Sequence, residues 1–290
     1  MTRLARRFGT VVLGPALAVG APAGTAPGDV LNDAETAAYA AGRGEYRKAV
    51  FFLTRVIESG DITGWDLSQA LTRRADALAA LGARQAALAD YDAALALSAV
   101  NTDALINRGL THHELSRFDA AIADFNAALA IDPANVPARY NRALSFGAIG
   151  AFARSLADLN AVLAAWPDFA QAYNDRGVIH SQLGDAEGAL LDFHAAIGLQ
   201  PDLAVAYFNR AVVHRRLGNP VDALADLDRA LTLSPDDPEF LLMRGRLLFE
   251  LDRVPSARDD VGRARNIDPG LCQRLAKDPS LAELRRSLCE

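Results

Sequence analysis

Apolar side chains along this chain recur at the spacing of amphipathic helices, in pairs of runs of about twelve residues each. In the segment 102–135, Leu105 and Gly109 mark the apolar face of the first run, and Phe125 and Leu129 mark that of the second. A short turn separates the two runs, and an Asp-Pro dipeptide ends the second. The pattern predicts a helix, a tight turn and a second, antiparallel helix.

This helix pair repeats every 34 residues through most of the chain. Five consecutive copies end in one proline column, which consists of Pro133, Pro167, Pro201, Pro235 and Pro269. A sixth copy precedes them with Ala99 in the proline position, and a seventh, degenerate copy lies nearer the N-terminus. The seven predicted units are 30–63, 68–101, 102–135, 136–169, 170–203, 204–237 and 238–271. Because one hairpin cannot bury both of its faces, we expect the units to stack into an all-α solenoid.

Small residues occupy three fixed positions in the repeat, one on the first helix and two on the second. These columns are Gly109, Ala143, Gly177, Ala211 and Gly245; Ala121, Ser155, Ala189, Ala223 and Ala257; and Ala128, Val162, Ala196, Ala230 and Ala264. Small side chains allow the two helices of a hairpin to approach closely. The space between hairpins is expected to be filled by Phe125, Leu159, Phe193 and Leu227.

The period, the small-residue columns and the closing prolines resemble the tetratricopeptide repeat (TPR) family. The segments NRGLTHHELSRFDAAIADFNAALAIDP and NDRGVIHSQLGDAEGALLDFHAAIGLQP carry this resemblance. It implies a right-handed superhelix of helix hairpins whose first helices line a concave groove, and a role in binding proteins or peptides. The chain departs from the family pattern early in the first helix, where Leu71, Leu105 and Arg139 replace an aromatic side chain.

The first 28 residues differ from all that follow. Three arginines precede an uncharged stretch, 8–28, which contains an apolar segment and then several small residues. This layout is typical of a secretory signal peptide, with cleavage between Ala18 and Ala26. One alternative is an uncleaved anchor, which five glycines and three prolines in the uncharged stretch disfavour; another is a tail without function. We therefore expect a periplasmic or secreted protein with no membrane span after cleavage.

Composition favours a helical, acidic protein. Of 290 residues, 51% are hydrophobic and only 7% aromatic, and Ala and Leu dominate the apolar fraction. The net charge of −6 argues against a nucleic-acid partner, which requires a basic surface. Loss of Arg3, Arg6 and Arg7 with the signal would change the balance from 30 − 36 = −6 to 27 − 36 = −9.

Two ionic columns accompany the repeat. First helices carry Arg74, Arg108, Arg142, Arg176, Arg210 and Arg244, and second helices carry Asp90, Asp124, Asp158, Asp192, Asp226 and Asp260. Each arginine can reach the aspartate of its own unit or that of the preceding unit. One interpretation is a charged track for a ligand. We favour a structural ladder of bidentate ion pairs, because every arginine has an aspartate at a constant offset.

Amide side chains next to the arginine column are candidates for peptide binding. This set consists of Asn107, Asn141, Asp175 and Asn209, with Asn174 one residue earlier in its unit. In TPR proteins such amides typically hold the backbone or the carboxylate of a bound peptide. The alternative is that they bond only to neighbouring helices. The family's terminal-carboxylate clamp is not expected, because it needs lysines and the mature chain has only Lys48 and Lys277.

Apolar side chains on the same face are candidates to line the groove. They are Ile106, Leu110, Tyr140, Leu144, Val178, Val205, Phe208 and Val212. Near the C-terminal end Arg215, Arg216 and Arg246 add positive charge. An apolar groove with a basic end suits a peptide of acidic character. The alternative for each apolar residue is packing between adjacent first helices.

No catalytic, metal or cofactor site is predicted. His112, His180 and His214 share a column, but adjacent first helices should lie about 8–10 Å apart. No carboxylate or cysteine joins them at ligand spacing, so packing is their expected role. The chain also has no phosphate-binding glycine loop, nucleophile elbow or HExxH motif.

After Pro269 the repeat is incomplete, and residues 272–290 are predicted to form a cap over the last hairpin. Cys272 and Cys289 lie near the two ends of this cap. If its helices fold back on each other, a disulfide closing about 17 residues would add roughly 3 kcal/mol in an oxidising compartment. The alternative is a pair of unpaired, buried thiols.

These features together predict an exported, non-catalytic adaptor or scaffold that holds an unidentified protein or peptide in its groove, with the cell envelope as its setting. The alternative is a self-associating structural protein, a possible homo-oligomer, whose groove is filled by its own N-terminal segment or by a second copy.

Overall fold

The structure, a computed structural model, describes residues 28–270. In this range the chain forms fourteen α-helices and no strand. The helices are α1 Gly28–Gly42, α2 Tyr46–Glu58, α3 Gly64–Ala80, α4 Arg84–Leu97, α5 Thr102–Glu114, α6 Phe118–Ile131, α7 Val136–Ala148, α8 Phe152–Ala165, α9 Ala170–Leu183, α10 Ala186–Leu199, α11 Ala204–Arg216, α12 Pro220–Leu233, α13 Pro238–Glu250 and α14 Val254–Ile267. The predicted all-α fold of helix hairpins is confirmed for these residues.

The chain divides into two compact units, and the division falls within α8. Their described parts are residues 28–158, called the N-terminal unit, and 159–270, called the C-terminal unit. In the N-terminal unit each helix from α1 to α6 packs against the next one in the chain, and the first helices α3, α5 and α7 also touch in sequence. In the C-terminal unit the same holds from α9 to α14, with α9 also touching α11.

Each hairpin turn relies on one residue in the left-handed backbone region. Gly82, Gly150, Gly184 and Gly218 have φ between +76° and +83° at equivalent positions of successive hairpins. At the same position Ser116 and Asp252 have φ of 57° and 59°. A side chain in this region is strained, so these two turns are less favourable than the glycine turns.

The turns between hairpins end one helix and cap the next. Asp132 stands at the C-cap of α6, and Pro133 follows it outside the helix. Asn135 then caps α7, where its side chain accepts a hydrogen bond from the backbone N–H of Ala138 at 2.9 Å. Asn101 caps α5 in the same way. Within a hairpin, Asp185 does so for α10.

The core of each hairpin is built from the small-residue columns and one larger side chain. Ala121 and Ala128 are fully buried around Phe125 in the N-terminal unit, and Ala223 and Ala230 are fully buried around Leu227 in the C-terminal unit. Within residues 28–270 no helix has both the length and the apolar character needed to cross a bilayer.

Candidate functional site

Each arginine of the ionic columns pairs with the aspartate of its own hairpin, sixteen residues further along the chain. Nε and Nη2 donate to the two carboxylate oxygens at 2.6–3.0 Å in all six pairs. The aspartate side chains are only 5–11% exposed. Bidentate geometry and burial together make these the strong form of ion pair. We call the six pairs the ladder and each pair a rung.

The third donor of most ladder arginines reaches back to the preceding hairpin. Nη1 of Arg108, Arg142, Arg176 and Arg244 donates at 2.7 Å to Asp92, Asn126, Asn160 and Asp228, respectively. These acceptors form a column of their own on the second helices. In this column His194 takes the place opposite Arg210, and the described residues provide no hydrogen bond to Nη1 of Arg210.

The amide candidates connect neighbouring first helices. In the N-terminal unit Nδ2 of Asn107 donates to Oδ1 of Asp76 at 2.8 Å. In the C-terminal unit Nδ2 of Asn209 donates to Oδ1 of Asn174 at 2.9 Å, and Nδ2 of Asn174 donates to Oδ1 of Asp175 at 3.2 Å.

Asn141 makes its contact within its own helix, where Nδ2 donates to the carbonyl oxygen of Pro137 at 2.9 Å. Its side chain is buried, whereas that of Asn107 is half-buried. The hypothesis that these amides bind a peptide stays a prediction.

Asp76 is a carboxylate that the sequence reasoning missed. Its Oδ1 accepts a hydrogen bond from the Tyr91 hydroxyl at 2.6 Å in addition to that from Asn107. Burial raises the pKa of Asp76 to about 6, although these two hydrogen bonds act to lower it. The next four units carry an apolar residue at this position, such as Leu110, and the last carries Arg246, so the repeat pattern offered no signal for a carboxylate.

The apolar groove candidates lie inside the helix packing. In the N-terminal unit Ile106, Leu110, Tyr140 and Leu144 are at most 6% exposed. In the C-terminal unit the same limit holds for Val178, Phe208 and Val212, and Val205 is half-buried. Their burial favours the interpretation that these side chains pack between adjacent first helices.

The last first helix, α13, differs from this pattern. In α13 the positions equivalent to Phe208 and Val212 carry Leu242 and Arg246. Both side chains are half-buried, and so are those of Met243 and Phe249. Apolar side chains therefore stay partly open to solvent on α13.

The basic candidates come together in the C-terminal unit. Glu250 Oε1 accepts hydrogen bonds from Arg215 Nη1 and from Arg246 Nε, each at 3.1 Å. Arg216 Nη1 donates to the backbone oxygen and the hydroxyl of Ser181 at 3.3 and 3.1 Å. We call Arg215, Arg216, Arg246 and Glu250 the arginine cluster. Glu250 was not singled out from the sequence, although it lies four residues after Arg246, where helical side chains meet.

The histidines are spread over separate contacts. His113 Nδ1 is hydrogen-bonded to the Ser145 hydroxyl at 2.9 Å, and His180 Nδ1 lies 2.8 Å from Asp185 Oδ2. Burial lowers the pKa of His112 and His113. Among residues 28–270 no three His, Cys, Asp or Glu side chains are placed to hold a metal ion.

A surface cavity of about 360 Å³ lies beside the last rung in the C-terminal unit. Its lining includes Arg244, Arg253 and Arg263, and an equal number of aspartates, which are Asp228, Asp259 and Asp260. The charges in this cavity therefore balance.

Both cysteines, the capping segment 272–290 and the signal up to residue 27 lie outside the described residues. The Cys272–Cys289 disulfide stays a prediction.

Comparison with known families gives matches along most of the repeats. Residues 140–204 and 208–270 match one family model described as "Tetratricopeptide repeat", and residues 102–135 match a second model of that description. Together the matched segments make up more than half of the chain. No curated protein matches the sequence significantly.

Several solved structures share the fold. A tetratricopeptide repeat protein from Parabacteroides merdae has a TM-score of 0.71 and 20% identity, over 83% of this chain and 93% of its own. A thermophilic TPR protein from Thermus thermophilus has a TM-score of 0.53 and 22% identity, over 63% and 99%. YrrB, described as a TPR protein with an unusual peptide-binding site, has a TM-score of 0.53 and 23% identity, over 65% and 95%. On the family matches, this chain belongs to the tetratricopeptide repeat family.

Proposed function

We propose that the chain is an exported, non-catalytic adaptor that binds a peptide segment on the first-helix face of its hairpins, in the cell envelope. The TPR fold supports a role as a protein–protein interaction scaffold, and members of the family are generally non-catalytic adaptors. The observation that carries the peptide-binding proposal is the partly open apolar surface of α13. Leu242, Met243 and Phe249 are half-buried there, beside the arginine cluster.

The proposed mechanism is docking without chemistry. Half-buried apolar side chains still have surface to lose from water when a partner covers them, and this loss favours binding. Fully buried side chains such as Phe208 have no such surface left, so they contribute to the packing of the helices and not to the contact with a partner. A peptide that presents apolar side chains to α13 would place its polar groups near the arginines.

The test uses the purified exported protein and a displayed library of random short peptides. Peptides selected on the wild-type chain should lose binding to Met243→Gln and Phe249→Gln. They should keep binding to Val221→Gln, a matched control whose side chain is 79% exposed on a second helix. Equal binding by all three variants, each folded by circular dichroism, would refute the proposed surface.

Self-association is the second candidate function, and exposed aromatic side chains in the N-terminal unit favour it. Tyr39, Phe51 and Trp65 are 64%, 58% and 52% exposed. They lie on α1, α2 and α3, which pack in sequence. Exposed apolar surface commonly marks an interface where it is contiguous. Light scattering after size-exclusion chromatography decides the point: a dimer that Phe51→Gln converts to monomer supports self-association, and a wild-type monomer at all concentrations rules it out.

A further inference from the structure

One carboxylate in the C-terminal unit serves two guanidinium groups. Glu250 Oε1 accepts from both Arg215 and Arg246 at 3.1 Å. The side chains of the two arginines are each 23% exposed and that of Glu250 is 40% exposed. The three groups are thus within reach of solvent, and their charges sum to one positive charge.

A third arginine increases the excess of positive charge. Arg216 has only the neutral oxygens of Ser181 as hydrogen-bond acceptors among the described residues. Burial and the neighbouring charge of Arg215 both lower its pKa. Arg215 and Arg216 lie in the last turn of α11, whose carbonyl groups supply partial negative charge only.

One N–H group of Arg215 also lacks a hydrogen-bond acceptor among the described residues. This group is Nε, which is buried. A buried N–H without an acceptor is costly, and a charged one more so. The arginine cluster therefore has more donors and more positive charge than the chain itself satisfies.

We propose that the arginine cluster is a binding site for a carboxylate of an acidic peptide segment, and that Glu250 occupies this site when the partner is absent. A partner Asp or Glu side chain would accept from Arg215 and Arg246 in place of Glu250, whose side chain would turn to solvent. This inference rests on the proposed function, since it names the chemistry of the peptide.

The residues next to the cluster define the rest of the partner segment. Leu183 is the last residue of α9, and Leu217 and Leu251 directly follow α11 and α13; the three side chains are 53%, 48% and 37% exposed. Leu217 and Leu251 directly follow Arg216 and Glu250 in the chain, and Leu183 lies two residues after Ser181, which Arg216 contacts. A segment with acidic and apolar side chains on one face would satisfy both the arginines and these leucines.

The terminal segments of this chain fit the cluster poorly. Residues 1–27 carry three arginines and no carboxylate. Residues 271–290 carry Arg274, Lys277, Arg285 and Arg286 against Asp278, Glu283 and Glu290, a net charge of 4 − 3 = +1. Charge complementarity therefore favours a separate acidic partner over residues 1–27 and 271–290.

The experiment measures binding of two fluorescein-labelled peptides to the purified exported chain by anisotropy. The first probe is a helical peptide with leucine on one face and glutamate on the other; the second has glutamine in place of glutamate. We expect the glutamate probe to bind about tenfold more tightly, with a loss at high salt. Arg215→Gln and Arg246→Gln should each weaken it by about tenfold, whereas Arg265→Gln, an exposed arginine outside the cluster, should not.

The decisive variant is Glu250→Gln, which should strengthen binding of the glutamate probe several-fold because it removes the competing carboxylate. Unchanged or weaker binding by Glu250→Gln, with a melting temperature near that of the wild type, overturns the inference. Equal binding of both probes also overturns it, while leaving the proposed function intact. The proposed function fails separately, if peptides selected from the random library do not depend on Met243 and Phe249.

Discussion

At the scale of single residues, one ladder arginine ties three helices together. Arg142 donates twice to Asp158 on α8 and once to Asn126 on α6 while it lies on α7. A lysine could not replace it, because an ammonium group lacks the planar fork that matches a carboxylate. The ladder thus depends on guanidinium geometry as well as on charge.

The exception in the ladder gives a stability prediction. His194→Asn should provide Arg210 Nη1 with the acceptor that Asn126 and Asn160 provide to their arginines. Since the contact is exposed, the gain should be on the order of 0.5 kcal/mol, seen as a higher midpoint in urea denaturation. The reverse change, Asn160→His, should lower the midpoint by a similar amount. Identical midpoints in both variants would show that the third contact does not stabilise the hairpins.

Asp76 predicts a pH dependence of stability. Its pKa is about 6 in the folded chain, against about 3.9 in an unfolded one, so the folded state holds the proton more tightly. The contribution of this proton to the free energy of unfolding is fully present below about pH 4 and is lost as the pH rises through about 6. The groups that act on the carboxylate are Tyr91, Asn107, Asp103 and Arg73.

The variant Asp76→Asn keeps an oxygen for Tyr91 and Asn107 and removes the charge. It should be more stable than the wild type by on the order of 1 kcal/mol near pH 7, and equal to it near pH 4. Chemical denaturation across this range, with the exposed Asp61→Asn as control, measures the difference. Parallel curves for wild type and variant would contradict a raised pKa.

At the scale of the helix pair, the small residue and the large one that faces it vary together in the four hairpins of residues 102–237. A Cβ on Gly109 would lie 2.7 Å from the Phe125 ring, and one on Gly177 would lie 2.8 Å from the Phe193 ring. In the hairpin after Gly177, the same two positions carry Ala211 and Leu227, which share a core cluster. Glycine with phenylalanine and alanine with leucine are thus two ways to fill the same space.

Replacing a glycine–phenylalanine pair by an alanine–leucine pair should preserve stability only if both residues are changed. Gly177→Ala alone should cost roughly 1 kcal/mol, because overpacking against Phe193 outweighs the better helix propensity of alanine. The double variant Gly177→Ala, Phe193→Leu should return most of that stability in thermal melts. A double variant less stable than the single one would show that the two positions do not compensate.

The repeat made the helices predictable, but not the depth at which their side chains lie. The 34-residue period determines which face of a helix Tyr140 occupies, whereas its complete burial depends on the bulk of the neighbouring helices. For the same reason the period alone could not decide whether each ladder arginine pairs with the aspartate of its own unit or with that of the preceding unit. Asp76 was not predicted because it departs from a mostly apolar column, and Glu250 because its column varies between Glu114, Ala148, Gln182 and Arg216. A repeat pattern is informative only at positions where the residue type recurs.

At the scale of the whole molecule, the terminal segments give the last prediction. The exported protein should lack a segment ending between Ala18 and Ala26, and its intact mass should be two hydrogens below that of the dithiol form if Cys272 and Cys289 are joined. Mass spectrometry under non-reducing conditions measures both. Two thiols that react with an alkylating reagent before reduction would refute the disulfide, and an intact N-terminus would refute cleavage.

The third contact of the ladder also bears on how such a chain can change length during evolution. Because four ladder arginines join their own hairpin to the preceding one at a fixed offset, a deletion or duplication of one whole 34-residue unit keeps these contacts in register. Removal of 170–203, for example, would place Arg210 opposite Asn160 and eliminate His194. An insertion of another length inside a hairpin would leave a buried aspartate without its arginine, and one between hairpins would misplace the third contact, so selection should favour gene duplications that copy whole repeats.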